Sequence, residues 1–207
     1  MSENEFVKLV EELGEKMNEK QKEKPHYDKC DKYYISEIAF TMGWINTLDV
    51  EKLEKFLEEN LDFHKITEFS GMREECHLYI GRRKSVLIVM TSGLTDFGNL
   101  IMFCNTPKKI QFQVLKEVAR MHFEEFIDDV KKLKDYWKEK DNEDSGLKII
   151  NPIVYSVSKS ISDKDIDKLE KLINAFLNEE VSVKSIKGLR RYIEKVNKVY
   201  YKMKKYK

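Results

Sequence analysis

The chain has 207 residues, of which 41% are hydrophobic, 11% aromatic and 36% charged. This length suits one large domain or two very small ones, and the apolar content excludes a wholly disordered chain. The 38 basic and 37 acidic residues almost cancel, so the overall charge points to no class of partner. The abundance of Lys and Glu is typical of hyperthermophile proteins, and an AT-rich genome produces the same bias.

The cysteines and the apolar runs bear on the cellular compartment. Cys30, Cys76 and Cys104 are the three cysteines, and an odd, small number without close spacing argues against a disulfide scaffold and favours a reducing compartment. The first residues lack the apolar segment of a signal peptide. The longest apolar run, residues 86–90, is far shorter than the roughly 20 residues of a membrane span. We therefore expect a cytoplasmic protein without a transmembrane segment.

The N-terminal part of the chain is predicted to form helices separated by a linker. Apolar residues at helical spacing predict a short helix over 4–17, and the charged stretch that follows predicts a linker over 18–32. The apolar segment 33–46 predicts a mostly buried helix. Asp49 is expected to cap the next helix with its carboxylate.

The pattern then changes to short strands rich in Ile, Val, Phe and Tyr. Their short connections predict an antiparallel meander, with Arg82, Arg83 and Lys84 at the tip of the middle hairpin. Tyr79 and Phe103 could stack on bases if one sheet face were uncovered. The predicted strands are 62–70, 75–81, 85–92 and 98–105, with 147–157 as a fifth strand kept to an edge by Pro152.

A long helix and a helical hairpin are predicted to complete the fold. The Thr106 hydroxyl is expected to cap a helix whose first residue is Pro107, and apolar residues at helical spacing extend that helix over 107–138. His122 falls near its apolar stripe and is expected to be a hydrogen-bonded core residue. The sequence thus predicts an α+β fold with a four- or five-stranded, mainly antiparallel sheet flanked by helices. We divide it into an N-terminal helix and linker (1–32), an α+β core (33–160) and a C-terminal helical hairpin (161–207).

The C-terminal segment 182–207 carries most of the charge asymmetry. It contains ten basic side chains and one acid, a net charge of +9, so the rest of the chain carries −8. A basic helix with interleaved tyrosines can follow a phosphate backbone while its rings stack on bases. This favours a non-catalytic module that binds single-stranded DNA or RNA, with Lys108 and Lys109 as a further basic spot. The predicted contact residues are Arg82, Arg83, Lys84, Lys187, Arg190, Arg191, Lys195, Lys198, Tyr201, Lys202 and Lys205.

The same helix supports two other interpretations. Its apolar residues follow a heptad spacing, which predicts a seam for self-association or for a protein partner, and its basic face could bind an acidic protein or an anionic membrane surface. Alternatively, the seam docks on the chain's own core and the charges face water or the acidic body. The seam residues are Ile186, Leu189, Ile193, Val196, Tyr200 and Met203.

Motifs for catalysis or for metal binding are sparse. The four histidines and three cysteines show no CxxC or HExxH spacing, so we expect no metal site and no cofactor. No P-loop, GxGxxG or GxSxG motif is present. Glu125 and Asp129, four residues apart at the edge of the long helix's apolar stripe, are the carboxylates that could hold Mg²⁺ for phosphoryl chemistry. A metal-dependent enzyme acting on phosphate substrates is therefore the third hypothesis.

Overall fold

The structure is a computed structural model that describes residues 30–35, 48–70, 74–92, 100–139 and 163–204. The chain divides into two compact units, Met1–Asp31 and Lys32–Lys207. The described elements confirm the α+β fold. They are strand β1 (Cys30–Tyr34), helix α1 (Val50–Leu61), strands β2 (His64–Ser70), β3 (Glu74–Ile80), β4 (Val86–Ser92) and β5 (Leu100–Cys104), and helices α2 (Lys108–Glu139), α3 (Asp163–Leu177) and α4 (Ile186–Lys204).

The five described strands form one sheet in the order β1-β5-β4-β3-β2. The pairs β2–β3, β3–β4 and β4–β5 are antiparallel, which confirms the predicted meander. Strand β1 was not predicted, because residues 30–34 were assigned to the linker and to the start of a helix. Its two tyrosines alternate, with Tyr33 buried and Tyr34 51% exposed, as side chains do on a strand. The predicted helix over 4–17 and the predicted strand over 147–157 lie outside the described residues.

One face of the sheet is buried across β3, β4 and β5. Tyr79, Leu87 and Phe103 lie side by side on β3, β4 and β5, and none of the three is exposed to solvent. Val89 and Ile101 form the neighbouring row on the same face. Tyr79 and Phe103 therefore cannot serve as stacking residues, and the possibility raised from the sequence is wrong.

The core continues from the sheet into the helices without a break. A single cluster of buried residues includes side chains from the sheet and from all four described helices. Asp49 caps α1 as predicted, since its carboxylate accepts a hydrogen bond from the Lys52 amide at 3.0 Å. Beyond the sheet, the ring of Phe123 on α2 meets the edge of Phe176 on α3 at 5.2 Å. Burial of these rings, and not helix propensity alone, holds the C-terminal hairpin against α2.

The cysteines differ from the sequence expectation. Cys30 and Cys104 are disulfide-bonded, whereas Cys76 is a free thiol. Burial raises the pKa of the Cys76 thiol, so it stays protonated and unreactive. Three widely spaced cysteines were expected to form no disulfide scaffold, so the bonded state of Cys30 and Cys104 was not predicted.

His122 is buried on α2 with 4% exposure, as predicted. Its Nε2 atom has no hydrogen-bond partner among the described residues, so the expected hydrogen bond at that atom is not formed. Burial lowers the pKa of His122 from 6.5 to about 4, since the charged imidazolium is poorly solvated there. The folded state therefore binds this proton more weakly than the unfolded chain does.

We expect His122 to make the protein sensitive to acid. Because the pKa is lower in the folded state, its contribution is complete above about pH 6.5 and is lost as the pH falls towards 4. In His122→Leu, the free energy of unfolding relative to wild type should rise by about 3 kcal/mol between pH 7.5 and pH 4. Urea unfolding of both proteins across this range measures the difference. Parallel pH profiles would show that His122 does not titrate with folding.

Candidate nucleic-acid interface

The apolar seam of α4 is buried within the chain. Leu189 and Val196 have no exposed surface, and Ile193 and Tyr200 are each 2% exposed. The Tyr200 ring meets the edge of Phe126 on α2 at 6.2 Å. A dimer or an adaptor complex formed through this seam would therefore require α4 to leave its own core. The side chain of Met203 lies outside the described side chains.

The opposite face of α4 is exposed and basic. Five cationic side chains lie on it, and none of them is paired with a carboxylate in the part of the chain that the structure describes. At 1.5 Å per residue, the row is about 22 Å long. The helix begins where the Ser185 hydroxyl accepts the Gly188 amide at 3.1 Å. The five residues are Lys187, Arg191, Lys195, Lys198 and Lys202.

The tyrosines of α4 have different roles. Tyr192 is 9% exposed, stacks on Phe176 with a centroid distance of 5.5 Å and donates its hydroxyl hydrogen bond to the Leu172 carbonyl. It is therefore a core residue. Tyr201 is 54% exposed and lies in the basic row beside Lys198 and Lys202. Among the tyrosines in the described part of α4, Tyr201 is the one whose ring is exposed enough to meet a base. The predicted contact residue Lys205 lies beyond the described residues.

The hairpin between β3 and β4 presents a second group of cations. Arg82, Arg83 and Lys84 form a single 3₁₀ turn and all three are exposed. The Gly81 amide donates to the Ser85 carbonyl at 2.9 Å, which closes the turn. A side chain at Gly81 would collide with the buried ring of Phe63, 2.9 Å from the position of a Cβ. Glycine is thus required where the hairpin packs on Phe63.

The three cations of this turn differ in how they are paired. Arg82 forms an ion pair with Asp62 at 2.5 Å, and its guanidinium holds the pKa of the Asp62 carboxyl below its usual value. Arg83 and Lys84 pair with no described carboxylate. Both adopt a left-handed backbone, with φ of 56° and 60°. The sequence analysis treated the three residues as equivalent, whereas the structure leaves two of them free to bind an anion.

Asn105 connects this turn to the start of α2. Its side-chain amide donates to the carbonyls of Arg83 and Lys84 at 3.1 and 3.2 Å, and its own carbonyl accepts the Ser85 hydroxyl at 3.3 Å. These bonds hold the turn in its left-handed conformation. They also tie the turn to Asn105, three residues before Lys108, the first residue of α2.

The start of α2 differs from the predicted cap. The Thr106 hydroxyl donates to the carbonyls of Cys104 and Val86 at 3.0 and 3.2 Å, so it ties the helix to the sheet instead of capping it. The Pro107 carbonyl accepts the amides of the first helical turn. The helix therefore begins at Lys108, just after the predicted start at Pro107. Lys108 and Lys109 are both exposed.

Tyr33 joins the start of α2 to α4. Its hydroxyl donates to Gln111 Oε1 at 2.9 Å and accepts a hydrogen bond from Lys108 Nζ at 3.3 Å. The Arg190 guanidinium lies 5.6 Å from the centre of the same ring, within the range of a cation–π contact. Buried Gln111 is held in turn by the Thr106 carbonyl, to which its amide donates at 2.8 Å. Sequence analysis missed both Tyr33 and Gln111, since neither belongs to a charged or periodic pattern.

Two other polar clusters contain residues of β2 and β3. Lys65 lies 3.2 Å from Glu54 and 2.6 Å from Glu68, and these carboxylates raise the pKa of its ammonium. It therefore stays charged and is unsuited to act as a base or nucleophile. His77 is buried between Glu68 and Glu75, 3.6 Å from each.

The structure gives no support to a metal centre in its described part. No group of three His, Cys, Asp or Glu residues there could hold a metal ion. Glu125 is exposed on α2. Its intended partner Asp129 lies beyond the described side chains, so the acid site proposed from the sequence is not assembled from described groups.

The comparisons with known proteins add no identification. The chain matches no protein-family model, no curated protein and no solved structure. Among the described helices, none is both long enough and apolar enough to cross a bilayer.

Proposed function

We propose that this protein is a non-catalytic nucleic-acid-binding module that contacts phosphates through the exposed face of α4. The observation that carries the proposal is the row of five cations from Lys187 to Lys202, exposed and unpaired with described carboxylates. Cations already paired within a protein gain little from a phosphate. Unpaired cations can replace the counterions of a polyanion, and the released counterions drive binding.

The distribution of charge supports a local interface. Residues 182–207 carry +9 and the rest of the chain −8, as counted from the sequence. A phosphate backbone is repelled by an acidic body, so binding would be confined to the basic helix and its immediate surroundings. If all five cations contact phosphates, the logarithm of the affinity should fall with the logarithm of salt concentration with a slope of about −3.5 for a single strand.

The exposed ring of Tyr201 favours single strands over duplexes. It lies between Lys198 and Lys202, with 54% of its surface exposed. Aromatic rings in a basic groove stack on unpaired bases, which present their faces, whereas bases in a duplex are already stacked on each other. This preference separates the proposal from binding to any anionic surface.

Neutralising the α4 row should weaken binding strongly without unfolding the protein. The variant replaces Lys187, Arg191, Lys195, Lys198 and Lys202 with Gln. We expect the affinity for a labelled 20-nucleotide oligothymidine to fall roughly 100-fold at low salt, and the salt slope to become shallower by about 3.5. Fluorescence anisotropy at several salt concentrations measures both quantities. Circular dichroism should show an unchanged fold, since the substituted side chains are exposed.

The matched control removes the same charge elsewhere. Five exposed lysines on α1 and α3 are replaced with Gln, and this variant should retain the wild-type salt slope and most of the affinity. An equal loss in both variants would mean that net charge alone controls binding. Failure of wild type to bind at low salt would show that the proposal is wrong. The control residues are Lys52, Lys55, Lys164, Lys168 and Lys171.

The two tyrosines of α4 should separate stacking from packing. Tyr201→Ala is expected to lower affinity for single strands by roughly 5- to 150-fold, the equivalent of about 1–3 kcal/mol for one stacked base. Duplex affinity and the salt slope should not change. Tyr201→Phe keeps a ring and should bind as wild type does. Equal binding by Tyr201→Ala and wild type would remove the stacking role.

Tyr192→Phe should behave in the opposite way. It removes the hydroxyl that donates to the Leu172 carbonyl, so the free energy of unfolding should fall by about 1 kcal/mol. Affinity for oligothymidine should not change, because the ring is buried. Chemical denaturation and anisotropy on the same preparation provide both measurements.

A further inference from the structure

We propose that the nucleic-acid site extends from α4 across Tyr33 to a second basic patch, so that one strand contacts both. The second patch is defined as Arg83, Lys84 and Lys109. This inference rests on the proposed function of α4 and names a longer, bipartite ligand for it. The chain of contacts from Arg190 through Tyr33 to the hairpin turn carries it.

The two basic surfaces are joined by direct contacts. Arg190 on α4 lies 5.6 Å from the Tyr33 ring centre, and Lys108 Nζ lies 3.3 Å from the Tyr33 hydroxyl. Lys108 begins the helix that follows Asn105, and Asn105 donates hydrogen bonds to the carbonyls of both Arg83 and Lys84. These contacts place cations of α4, of α2 and of the hairpin turn along one path.

The second patch is held rigidly before any ligand arrives. Arg83 and Lys84 have left-handed backbones, which non-glycine residues adopt at a cost. The side chain of Asn105 and the closure between Gly81 and Ser85 maintain them. A turn that is already ordered loses little conformational entropy on binding. Contacts between its cations and phosphates can therefore increase the affinity.

The charges of the second patch are free to bind phosphate. Arg83, Lys84 and Lys109 are exposed, and none pairs with a carboxylate of the described residues. Arg82, their neighbour, is neutralised by Asp62. Arg82 and Arg83 therefore allow a test within one turn. Replacing Arg83 should weaken binding of the strand more than replacing Arg82 together with its partner Asp62.

The length of the ligand distinguishes the two surfaces. The α4 row spans about 22 Å, which corresponds to about six phosphates at roughly 3.4 Å per strand charge. A strand of six nucleotides can occupy α4 alone, whereas a strand of 20 can also reach the second patch. The variant Arg83→Gln/Lys84→Gln/Lys109→Gln is compared with wild type on both lengths by fluorescence anisotropy across a salt series.

We expect the triple variant to bind the six-nucleotide strand as wild type does. It should bind the 20-nucleotide strand about 10-fold more weakly, with a salt slope smaller by about 2, since about 0.7 counterions are released per phosphate contact. A longer strand offers more positions at which the protein can bind. Because wild type and variant are compared on the same oligonucleotide, this statistical factor is the same for both. Equal affinity and slope for the long strand would overturn the inference. If the proposed function of α4 is wrong, the result is different: wild type binds neither the six-nucleotide nor the 20-nucleotide strand.

Two further variants exclude unfolding and net charge as causes. Arg83→Gly relieves the left-handed backbone, so the unfolding temperature should stay the same or rise while affinity for the long strand falls about 3-fold. Asp62→Asn/Arg82→Gln removes the paired charges together, and this variant should bind both strands as wild type does. If it weakened long-strand binding as much as Arg83→Gly, the assignment of the free cations would be wrong.

Discussion

Burial of the α4 seam is the constraint on which the rest of the structure depends. Four seam residues, Leu189, Ile193, Val196 and Tyr200, are at most 2% exposed, and they close the core formed by α2 and α3. A helix with one face fixed in this way must turn its other face to solvent. The cations of α4 are therefore displayed by the same packing that stabilises the fold.

The seam burial is also relevant to the hypotheses raised from the sequence. A heptad spacing alone predicts a helix whose apolar face is buried against another element. It does not reveal whether that element belongs to another chain or to the same chain. The edge contact between Tyr200 and Phe126 and the stacking of Tyr192 on Phe176 place the partner within this chain. Self-association through the seam would need to replace these aromatic contacts. The basic face needs no such rearrangement to meet a ligand.

Tyr33 has a comparable position at the other end of the surface. Its ring packs against the edge of Phe103 at 5.8 Å, so it belongs to the sheet core, yet its hydroxyl lies between Gln111 and Lys108. An apolar ring with a polar tip suits a place where a core meets a charged surface. The contacts of Arg190 and Lys108 with one buried ring fix two separate basic elements relative to each other.

The sequence predicted those elements whose pattern is local. The four strands of the meander, the long helix and the heptad seam each have a period that can be read in a short window, and the structure confirms them. Strand β1 was not predicted, because a segment of five residues shows too little periodicity. Its place in the sheet also depends on pairing with β5, which lies far along the chain. The disulfide state of Cys30 and Cys104 was missed for the same reason.

The candidate site shows the same division. The charge of α4 and its exposed Tyr201 followed from composition and helical spacing. The roles of Asn105, Gln111 and Tyr33 did not, because each acts through partners distant in sequence. The pairing of Arg82 with Asp62, and the absence of such a described partner for Arg83, depends on side-chain positions that no spacing rule encodes.

Several acidic residues of the body are paired with cations close to them in the sequence. Lys52 pairs with Asp49 on α1, and Arg120 pairs with Glu117 and Glu124 on α2. These pairs join positions three or four apart, so they form within a single helix turn and cost little to order. Carboxylates paired in this way have less to gain from a distant cation. Among the described residues the five cations of the α4 row remain without acidic partners, although the net charge of the whole chain is only +1.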